Sequence, residues 1–352
     1  MVVLMKPGAT DAEIEAVCEV IRKHSLEALL MPGSVMAVGI PSAIPPDVRQ
    51  PLAEKLEILP GVSKVTHVSR SFKLASREFH PYNTIVEIGD VRVGEKEITV
   101  MAGPCSIEGY EQLKQSAIIA KKHGARILRG GAFKPRTSPY AFQGLALEGL
   151  KIMQAVGREV EIKTVSEVLS PDMVSAVAEY VDILQIGARS MQNFPLLIEA
   201  GKSGHPVLLK RGPAATIDEF LLAAEYVLAQ GNSKVMLCER GVHPLDRSYT
   251  RNTLDLSAVL VLKEQSHLPI IVDPSHGTGV ARYVPAMSYA AVAVGADGLL
   301  VEMHPNPREA LSDAAQTLDP QTFAEMMENL SVFANVIGRT VASASVAAKA
   351  KA

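Results

Sequence analysis

Four residues have side chains that could bind a metal ion together. Cys105, His276 and Glu302 stand near the ends of predicted strands, and Asp313 lies in the segment after the last predicted strand. Together they offer one thiolate, one imidazole and two carboxylates. This donor set suits a borderline-soft divalent ion of the first transition row better than magnesium, which prefers oxygen ligands throughout. We therefore expect one divalent metal ion, Mn²⁺ in the first place, with Fe²⁺, Co²⁺ and Zn²⁺ as alternatives.

The sequence around two of these residues separates them from ordinary core residues. A free cysteine is more often a small buried hydrophobic residue, and a single histidine can be a hydrogen-bonded core residue. Cys105, however, follows a Gly-Pro pair, and His276 lies in Asp273-Pro274-Ser275-His276-Gly277, each just after a predicted strand. Cys18 and Cys238 have no such neighbours, so we assign them to packing.

A second group of side chains near the same strand ends is cationic. Its members are Arg129, Lys134, Arg136, Arg189, Lys210, Arg211 and Arg240. The chain as a whole carries a net charge of −3, so this group is a local feature. Guanidinium and ammonium groups that converge on one site bind phosphate and carboxylate oxygens, which predicts a small polyanionic substrate. For any one of these residues, an ion pair with a neighbouring surface carboxylate is the alternative.

The elements that must position these side chains are short apolar runs, each followed by a helical or loop segment. They lie near residues 98–103, 126–130, 160–165, 182–187, 206–210, 234–239, 269–273 and 297–302. Such units over residues 84–352 predict an α/β fold, the (β/α)8 TIM barrel, whose catalytic groups come from the C-terminal ends of the strands. A doubly wound open sheet is the alternative, but no Gly-x-Gly-x-x-Gly follows any run. A hairpin at 84–94, turning near Gly89-Asp90, would close the N-terminal mouth.

Residues 1–70 show a different pattern, in the order βαββαβ. Strands are predicted at 2–5, 26–31, 34–40 and 62–66, and helices at 11–24 and 47–58. Thr10 and Glu13 have the spacing of a capping box before the first helix, and Pro32-Gly33 marks a turn between two strands. This order predicts a small ferredoxin-like domain, which a linker at 71–83 joins to the barrel.

Composition excludes several classes of partner. The 35 basic and 38 acidic side chains leave no broad basic surface for nucleic acid or acidic lipid. No apolar run approaches the roughly 18 residues that are needed to span a membrane. Three scattered cysteines, and a start without a charged leader before a long apolar run, predict a reduced, cytoplasmic protein.

Several motifs resemble those of one known family. They are Ala102-Gly103-Pro104-Cys105-Ser106, the stretch at 128–138, Ile186-Gly187-Ala188-Arg189, Leu209-Lys210-Arg211-Gly212, Cys238-Glu239-Arg240-Gly241 and Asp273-Pro274-Ser275-His276. The chain is similar over nearly its whole length to the type I 3-deoxy-D-arabino-heptulosonate 7-phosphate (DAHP) synthases of the beta subgroup. The resemblance implies a metal-requiring transferase that condenses phosphoenolpyruvate with erythrose 4-phosphate, opening the shikimate pathway to aromatic amino acids.

The segment Lys134-Pro135-Arg136-Thr137 bears on the choice of aldose. A sister enzyme that makes 3-deoxy-D-manno-octulosonate 8-phosphate uses arabinose 5-phosphate on a similar barrel, and it carries a Lys-Ala-Asn-Arg-Ser type of segment there. The resemblance therefore favours erythrose 4-phosphate, with the five-carbon aldose as the alternative.

The resemblance also implies roles for individual residues. The substrate-binding residues would be Arg129, Lys134, Pro135, Arg136, Thr137, Arg189, Lys210 and Arg240. Of these, Arg136 and Thr137 would hold the phosphate of erythrose 4-phosphate, and the other cations would hold phosphoenolpyruvate. The catalytic residues would be Lys134, Cys105, His276, Asp273 and Glu167. Lys134 would neutralise a developing alkoxide, while Glu167 and Asp273 would orient water or the sugar.

The small domain resembles the regulatory extension of one subgroup, which binds tyrosine or phenylalanine as an effector. In this sequence Leu29-Leu30-Met31 stands where tyrosine-sensing relatives present polar groups, and Ser34 is the only hydroxyl nearby. The resemblance further implies a homotetramer. The alternative from another class is a non-catalytic amino-acid sensor. All four metal-binding residues argue against it, because barrel packing needs none of them and buried unpaired charge is costly.

Overall fold

The structure, a computed structural model, describes residues 1–31, 35–66, 71–134, 140 and 142–342. The predicted turn at Pro32-Gly33, Ser34, and the predicted substrate-binding residues Pro135, Arg136 and Thr137 lie outside the described residues. The chain forms two compact units. The first comprises Met1–Asn83 with Glu264–His267, and the second comprises Thr84–Lys263 with Leu268–Ala352.

The first unit has the βαββαβ order that the sequence predicts. Its elements are β1 (Val2–Met5), α1 (Asp11–Arg22), β2 (Leu29–Met31), β3 (Ala37–Gly39), α2 (Pro46–Glu57) and β4 (Val62–Thr66). The strands form an antiparallel sheet in the order β2-β3-β1-β4, with β1 and β3 in the centre. This is the ferredoxin-like arrangement, so that part of the predicted fold is confirmed.

Helix α1 shows how local sequence builds this unit. The Thr10 hydroxyl accepts a hydrogen bond from the Glu13 backbone N–H at 3.3 Å, and the Glu13 carboxylate accepts one from the Thr10 backbone N–H at 2.7 Å. This reciprocal capping box satisfies two helix-end donors. One face of the helix, including Val17 and Cys18, is buried in the core of the unit, as predicted for Cys18.

Residues 71–83 cluster with the first unit. Phe72 and Phe79 are both buried there. The Phe79 ring lies directly against Gly39, where an added Cβ would come within 1.8 Å of the ring. The position therefore requires glycine. The predicted domain bounds, with a small domain at 1–70, a linker at 71–83 and a barrel domain at 84–352, stay predictions.

The second unit contains eight parallel strands. They are β7 (Glu97–Gly103), β8 (Ile127–Arg129), β9 (Lys163–Val168), β10 (Ile183–Ile186), β11 (Val207–Lys210), β12 (Val235–Glu239), β13 (Ile270–Val272) and β14 (Gly298–Glu302). Each pairs with the next, and β14 pairs with β7 in parallel register from Gly298↔Thr99 to Glu302↔Gly103. The sheet is therefore closed, and the TIM barrel prediction is confirmed. A two-residue strand, β15 (Thr340–Val341), also pairs with β7.

Helices surround this barrel. They are α3 (Tyr110–Lys122), α4 (Ala146–Val160), α5 (Val174–Ala178), α6 (Phe194–Lys202), α7 (Ile217–Leu228), α8 (Leu256–Gln265), α9 (Pro274–Thr278), α10 (Val284–Ala293) and α11 (Pro320–Val336). Within the described part of the chain, no helix is long and apolar enough to cross a membrane.

The predicted hairpin consists of β5 (Val86–Ile88) and β6 (Val91–Val93). Its four apolar residues are buried in one cluster with inward-facing barrel residues such as Ile127 and Ile183, the first residues of β8 and β10. Those two residues lie at the N-terminal ends of their strands, so the hairpin packs at that end of the barrel. The C-terminal ends are left to carry the polar side chains.

Candidate active site

The predicted metal-binding residues come together where the barrel strands end. One ligand atom each from Cys105, Glu302 and Asp313 lies within 4.8 Å of the others. Cys105 Sγ is 3.2 Å from Asp313 Oδ2. His276 stands beside this group, with its Nε2 at 3.5 Å from Glu302 Oε1. Residues more than 200 positions apart in sequence thus share one small volume.

Two unusual backbone positions shape this cluster. At Gly103 an added Cβ would lie 2.2 Å from the Arg129 carbonyl oxygen, so only glycine allows β7 to end this close to β8 and deliver Cys105. Asp313 has a φ of +52°, in the left-handed region that non-glycine residues rarely adopt. Such strain tends to persist where surrounding contacts fix a functional side chain.

His276 is oriented by Asp273, the N-cap of α9. One oxygen of Asp273 accepts the His276 backbone N–H at 2.9 Å, and the other lies 2.8 Å from His276 Nδ1. Nδ1 therefore carries the proton, which leaves the Nε2 lone pair free on the side of Glu302. Burial lowers the pKa of His276, which favours the neutral imidazole that a metal ligand must be.

Asp273 also contacts the ammonium group of Lys210. Burial alone would raise the pKa of the Asp273 carboxyl, but His276 and Lys210 hold that pKa well below its usual range. Asp273 is therefore a buried anion, and both of its oxygens already have partners. The structure therefore places Asp273, a predicted catalytic residue, in contact with His276 Nδ1 and with Lys210.

Glu302 is held from both sides. Arg129 Nη1 donates to its Oε1 at 3.0 Å, and Gln316 Nε2 donates to its Oε2 at 2.7 Å. Burial would raise the pKa of this carboxyl, but its interactions with His276 and Arg129 outweigh burial and lower the pKa. The carboxylate is therefore charged and fixed in orientation.

Lys134 lies against Cys105. Its Nζ is 2.9 Å from Sγ and 3.0 Å from the Cys105 carbonyl oxygen. Burial, with a smaller effect from Glu302, raises the pKa of the Cys105 thiol to about 11. A cation at the sulfur favours the thiolate, so a metal ion that bound here would displace the thiol proton.

The predicted cations have different surroundings. Arg211 is buried and pairs with Glu239 at 2.9 Å and Asp255 at 3.0 Å, so the ion-pair interpretation applies to it. Arg240 is also buried, with 7% of its surface exposed. Within the described ranges, no hydrogen bond or ion pair reaches the Arg240 guanidinium, and its Nε is a buried donor without a partner. An unpaired buried guanidinium is costly and indicates a binding site for an anion.

Two further predicted residues lie apart from the donor cluster. Arg189 is exposed and borders a cavity of about 320 Å³ that Gly212 and Pro213 also line. Glu167 accepts a hydrogen bond from Gln185 at 3.4 Å. Its carboxylate also lies against Gly187, where a Cβ would come within 1.9 Å of Oε1. These residues are near strand ends, as predicted, but no hydrogen bond or ion pair in the part of the chain that the structure describes joins them to the metal-binding residues.

Sequence reasoning missed three residues that contact the cluster. Gln316 binds Glu302, Arg251 lies 3.5 Å from Asp313, and Asn252 donates to the His276 carbonyl oxygen at 2.8 Å. The only signal for Gln316 was its position three residues after Asp313. Nothing in the sequence around Arg251 and Asn252 pointed to the site.

The donor set fits a divalent metal of the first transition row. It combines a thiol, an imidazole whose Nε2 carries no proton and two charged carboxylates. The Lys134 ammonium contacts the thiol sulfur and favours its thiolate form. A buried arginine that lacks a partner among the described residues follows a neighbouring strand. Fold and site together define a class of (β/α)8-barrel enzymes that can hold a metal ion beside a small anionic substrate.

Comparison with known proteins identifies the family. The chain belongs to the DAHP synthetase I family, whose model matches residues 75–335, and a model of the DAHP synthase ferredoxin-like domain matches residues 1–70. The phospho-2-dehydro-3-deoxyheptonate aldolase of Thermotoga maritima is 46% identical over 338 residues, covering 96% of this chain and 99% of that protein. The resemblance seen in the motifs is confirmed, and the chain is an enzyme of DAHP synthesis.

Solved structures and more distant relatives agree with this assignment. A crystal structure of the Thermotoga maritima phospho-2-dehydro-3-deoxyheptonate aldolase (DAHP synthase) has a TM-score of 0.76 at 45% identity, covering 97% of this chain and 98% of that one. The 2-dehydro-3-deoxyphosphooctonate aldolase of Syntrophotalea carbinolica is 32% identical, covering 72% of this chain and 98% of that protein. The arabinose 5-phosphate alternative therefore corresponds to the more distant similarity.

Proposed function

We propose that this enzyme condenses phosphoenolpyruvate with erythrose 4-phosphate and water, giving DAHP and phosphate, the first step of the shikimate pathway. The proposal rests on two observations: the buried guanidinium of Arg240, which has no partner among the described residues, and the donor cluster of Cys105, Glu302 and Asp313. A buried cation of this kind needs an anionic ligand. Phosphoenolpyruvate provides both a phosphate and a carboxylate.

Charge balance supports two phosphorylated substrates. Two phosphates and one carboxylate bring roughly 4 to 5 negative charges, because the second phosphate pKa is near 6. Phosphoenolpyruvate would be bound by Arg129, Lys134, Lys210 and Arg240, and by Arg189 at the edge of its binding site. Arg129 and Lys210 each pair with one carboxylate, but Arg129 has a buried Nε without a hydrogen-bond partner, and Lys210 has further N–H donors. Pro135, Arg136 and Thr137 would bind erythrose 4-phosphate.

The metal would be held by Cys105, His276, Glu302 and Asp313. When bound, it would supply either a Lewis acid that polarises the aldehyde oxygen of erythrose 4-phosphate or an activated water molecule. We propose Mn²⁺ first, with Fe²⁺, Co²⁺ or Zn²⁺ as alternatives. The mixed sulfur, nitrogen and oxygen donors support all four.

Lys134 would act at the reacting oxygen. As C3 of phosphoenolpyruvate bonds to the aldehyde carbon, negative charge develops on the aldehyde oxygen. The Lys134 ammonium beside Cys105 would stabilise that charge and then supply a proton to the oxygen. Water would add at C2 and lose both protons, one restoring the Lys134 ammonium and one going to phosphate, which leaves by cleavage of its C–O bond as C2 becomes the ketone. Glu167 would orient water or the sugar, while Asp273 would act by holding His276 and Lys210.

The test is an assay of phosphoenolpyruvate consumption with either erythrose 4-phosphate or arabinose 5-phosphate. The enzyme is first stripped with a chelator and then supplied with one metal at a time. We expect turnover with erythrose 4-phosphate and its recovery on addition of Mn²⁺. Turnover with arabinose 5-phosphate alone would overturn the substrate assignment. Full turnover after chelation would overturn the metal requirement, and no turnover under any condition would overturn the proposed reaction.

Three further proposals rest on the resemblance. They are a homotetramer, inhibition by tyrosine or phenylalanine through the first unit, and a cytoplasmic location. Light scattering on the purified protein tests the first, and assays with each amino acid test the second. The ferredoxin-like fold of the first unit supports the second proposal.

A further inference from the structure

A buried glutamine connects the metal-binding carboxylates. Gln316 is only 2% exposed. Its Nε2 donates to Glu302 Oε2 at 2.7 Å, and its Oε1 accepts from Arg251 Nη1 at 3.1 Å. The same Arg251 nitrogen lies 3.5 Å from Asp313 Oδ1. One arginine nitrogen and one amide therefore contact two of the four metal-binding residues.

The backbone fixes Gln316 beside Glu302. After Asp313, the chain forms a short helix at Ala314–Gln316, in which the Gln316 N–H donates to the Asp313 carbonyl oxygen at 3.2 Å. The chain then runs next to the end of β14, where the Leu318 N–H donates to the Glu302 carbonyl oxygen at 2.9 Å. The left-handed φ of Asp313 starts this turn. Gln316 is thus brought back to the strand that carries Glu302.

The amide of Gln316 satisfies both of its neighbours, Arg251 and Glu302. A guanidinium has donors alone, and an ionised carboxylate has acceptors alone. The amide oxygen must therefore face Arg251, and the amide nitrogen must face Glu302. A glutamate would place a carboxylate against Glu302, and an apolar residue would leave the buried Oε2 of Glu302 without its donor.

Arg251 and Asn252 extend these contacts to a third segment. Asn252 is buried and donates to the His276 carbonyl oxygen at 2.8 Å, and the Arg251 N–H donates to the Thr278 carbonyl oxygen at 2.8 Å. The loop between β12 and α8 therefore contacts α9, which carries His276, as well as Asp313 and Gln316. It contacts the segments that carry two of the four metal-binding residues, His276 and Asp313.

We propose that Gln316 and Arg251 are positioning residues that hold Glu302 and Asp313 in the arrangement that binds the metal ion. Neither is expected to contact substrate. Partners of this kind fix the orientation of metal ligands, and their loss typically weakens metal binding by about 10- to 100-fold. The inference rests on the proposed metal site, and it adds two residues to it that no sequence motif marked.

The first test measures metal affinity directly. Gln316→Met keeps the length of the side chain and removes both hydrogen bonds. Stripped wild-type and variant proteins are titrated with Mn²⁺ in competition with a chelating dye. We expect the Kd of the variant to rise by about 10- to 100-fold. Gln321→Met is the matched control, because the exposed Gln321 side chain donates to Glu325 on α11, away from the metal-binding residues, and its Kd should not change.

A spectroscopic measurement distinguishes positioning from a general loss of stability. Co²⁺ replaces Mn²⁺ in each protein, and the visible absorption bands report the geometry of its ligands. In Gln316→Met we expect shifted bands, with the melting temperature and circular dichroism spectrum showing a folded protein. In Gln321→Met the bands should match the wild type.

Arg251→Met provides a second route, because the Arg251 side chain is 43% exposed and its replacement leaves the core intact. We expect weaker Mn²⁺ binding, and the double variant with Gln316→Met should lose less than the product of the two single losses, since Arg251 reaches Glu302 only through Gln316 among the described contacts. Wild-type Kd values and Co²⁺ spectra in both folded single variants would overturn the inference. If Gln316→Met does not fold, an unchanged Arg251→Met alone would do so. A wild-type protein that bound neither ion would instead overturn the metal site itself.

Discussion

The Lys134 amine lies 2.9 Å from the Cys105 sulfur, so one contact joins a predicted catalytic cation to a predicted metal ligand. The ammonium charge affects the protonation of the thiol. Burial raises the pKa of the Cys105 thiol to about 11, and the Lys134 charge opposes that rise. The ammonium group thus stands beside the proposed metal site, where it would stabilise negative charge on a substrate oxygen.

Lys134→Met should reduce kcat by about 100-fold or more, since a preorganised donor at developing charge is typically worth that much. The loss should exceed any loss of stability, because Lys134 is only partly buried. Steady-state kinetics and thermal unfolding measure the two effects. Lys202→Met is the control, because Lys202 is exposed and pairs only with Glu199 among the described residues. An unchanged kcat in Lys134→Met would remove this residue from the chemistry.

Cys105→Ser should lose bound metal and most activity while the fold survives. The hydroxyl keeps the size of the side chain but does not supply the soft donor that selects a transition metal. We expect the affinity loss to exceed the roughly 100-fold that an outer hydrogen bond costs. Metal content after dialysis, with circular dichroism for the fold, gives the answer. Cys18→Ala removes another buried thiol and should keep its metal, whereas a metal-replete, active Cys105→Ser would refute the ligand assignment.

The barrel could be predicted because its strands are buried on both faces and appear as continuous apolar runs. One run was misplaced: the strand expected at 160–165 is Lys163–Val168 in the structure. Helix α4 continues to Val160, so the first apolar residue of that run belongs to the helix. Glu161, with a φ of +53°, then ends the helix in a left-handed conformation that a glutamate does not signal in sequence.

Contacts within the site were less predictable than the residues that form it. Motif position and donor chemistry were enough to suggest Cys105 and His276. The partners of the buried cations depend on side-chain directions across the barrel, so the sequence could not separate Arg211, which is paired, from Arg240, which is not paired among the described residues. Gln316 and Arg251 are 65 positions apart, and only the closed fold brings them together.

Gly187→Ala should displace Glu167, because the new Cβ would lie 1.9 Å from the carboxylate oxygen. Gly187 has a φ of −65°, which alanine adopts without strain, and the displaced atoms are the end of a flexible side chain. Stability should therefore change little. If Glu167 orients water or the sugar, kcat should fall by about 10-fold or more, as for the loss of a general acid–base group. Glu167→Gln should show a similar loss.

The control for this prediction is Gly109→Ala. Gly109 has open space around its Cβ position and an extended backbone, so activity should stay at the wild-type level. Full activity in both Gly187→Ala and Glu167→Gln would remove Glu167 from the mechanism.

His267 should make stability depend on pH. It is buried in the first unit, where its Nε2 lies 2.7 Å from the Leu74 carbonyl oxygen and its ring is 4.2 Å from that of His80. Burial, with a smaller effect from His80, lowers the pKa of His267 to about 3. As pH falls below the ordinary value of about 6.5, the unfolded chain binds a proton that the folded chain does not. Folding should therefore lose stability by up to about 1.4 kcal/mol per pH unit between those two values.

His267→Gln isolates this effect. Glutamine can still donate a hydrogen bond to Leu74 but does not titrate, so the unfolding midpoint in urea should change less between about pH 7 and pH 5 than in the wild type. His243→Gln removes an exposed histidine and should leave the wild-type pH dependence unchanged. Because other groups also titrate in this range, the difference between the two variants is the informative quantity. If the unfolding midpoint depended equally on pH in both variants, His267 would not be held neutral in the folded protein.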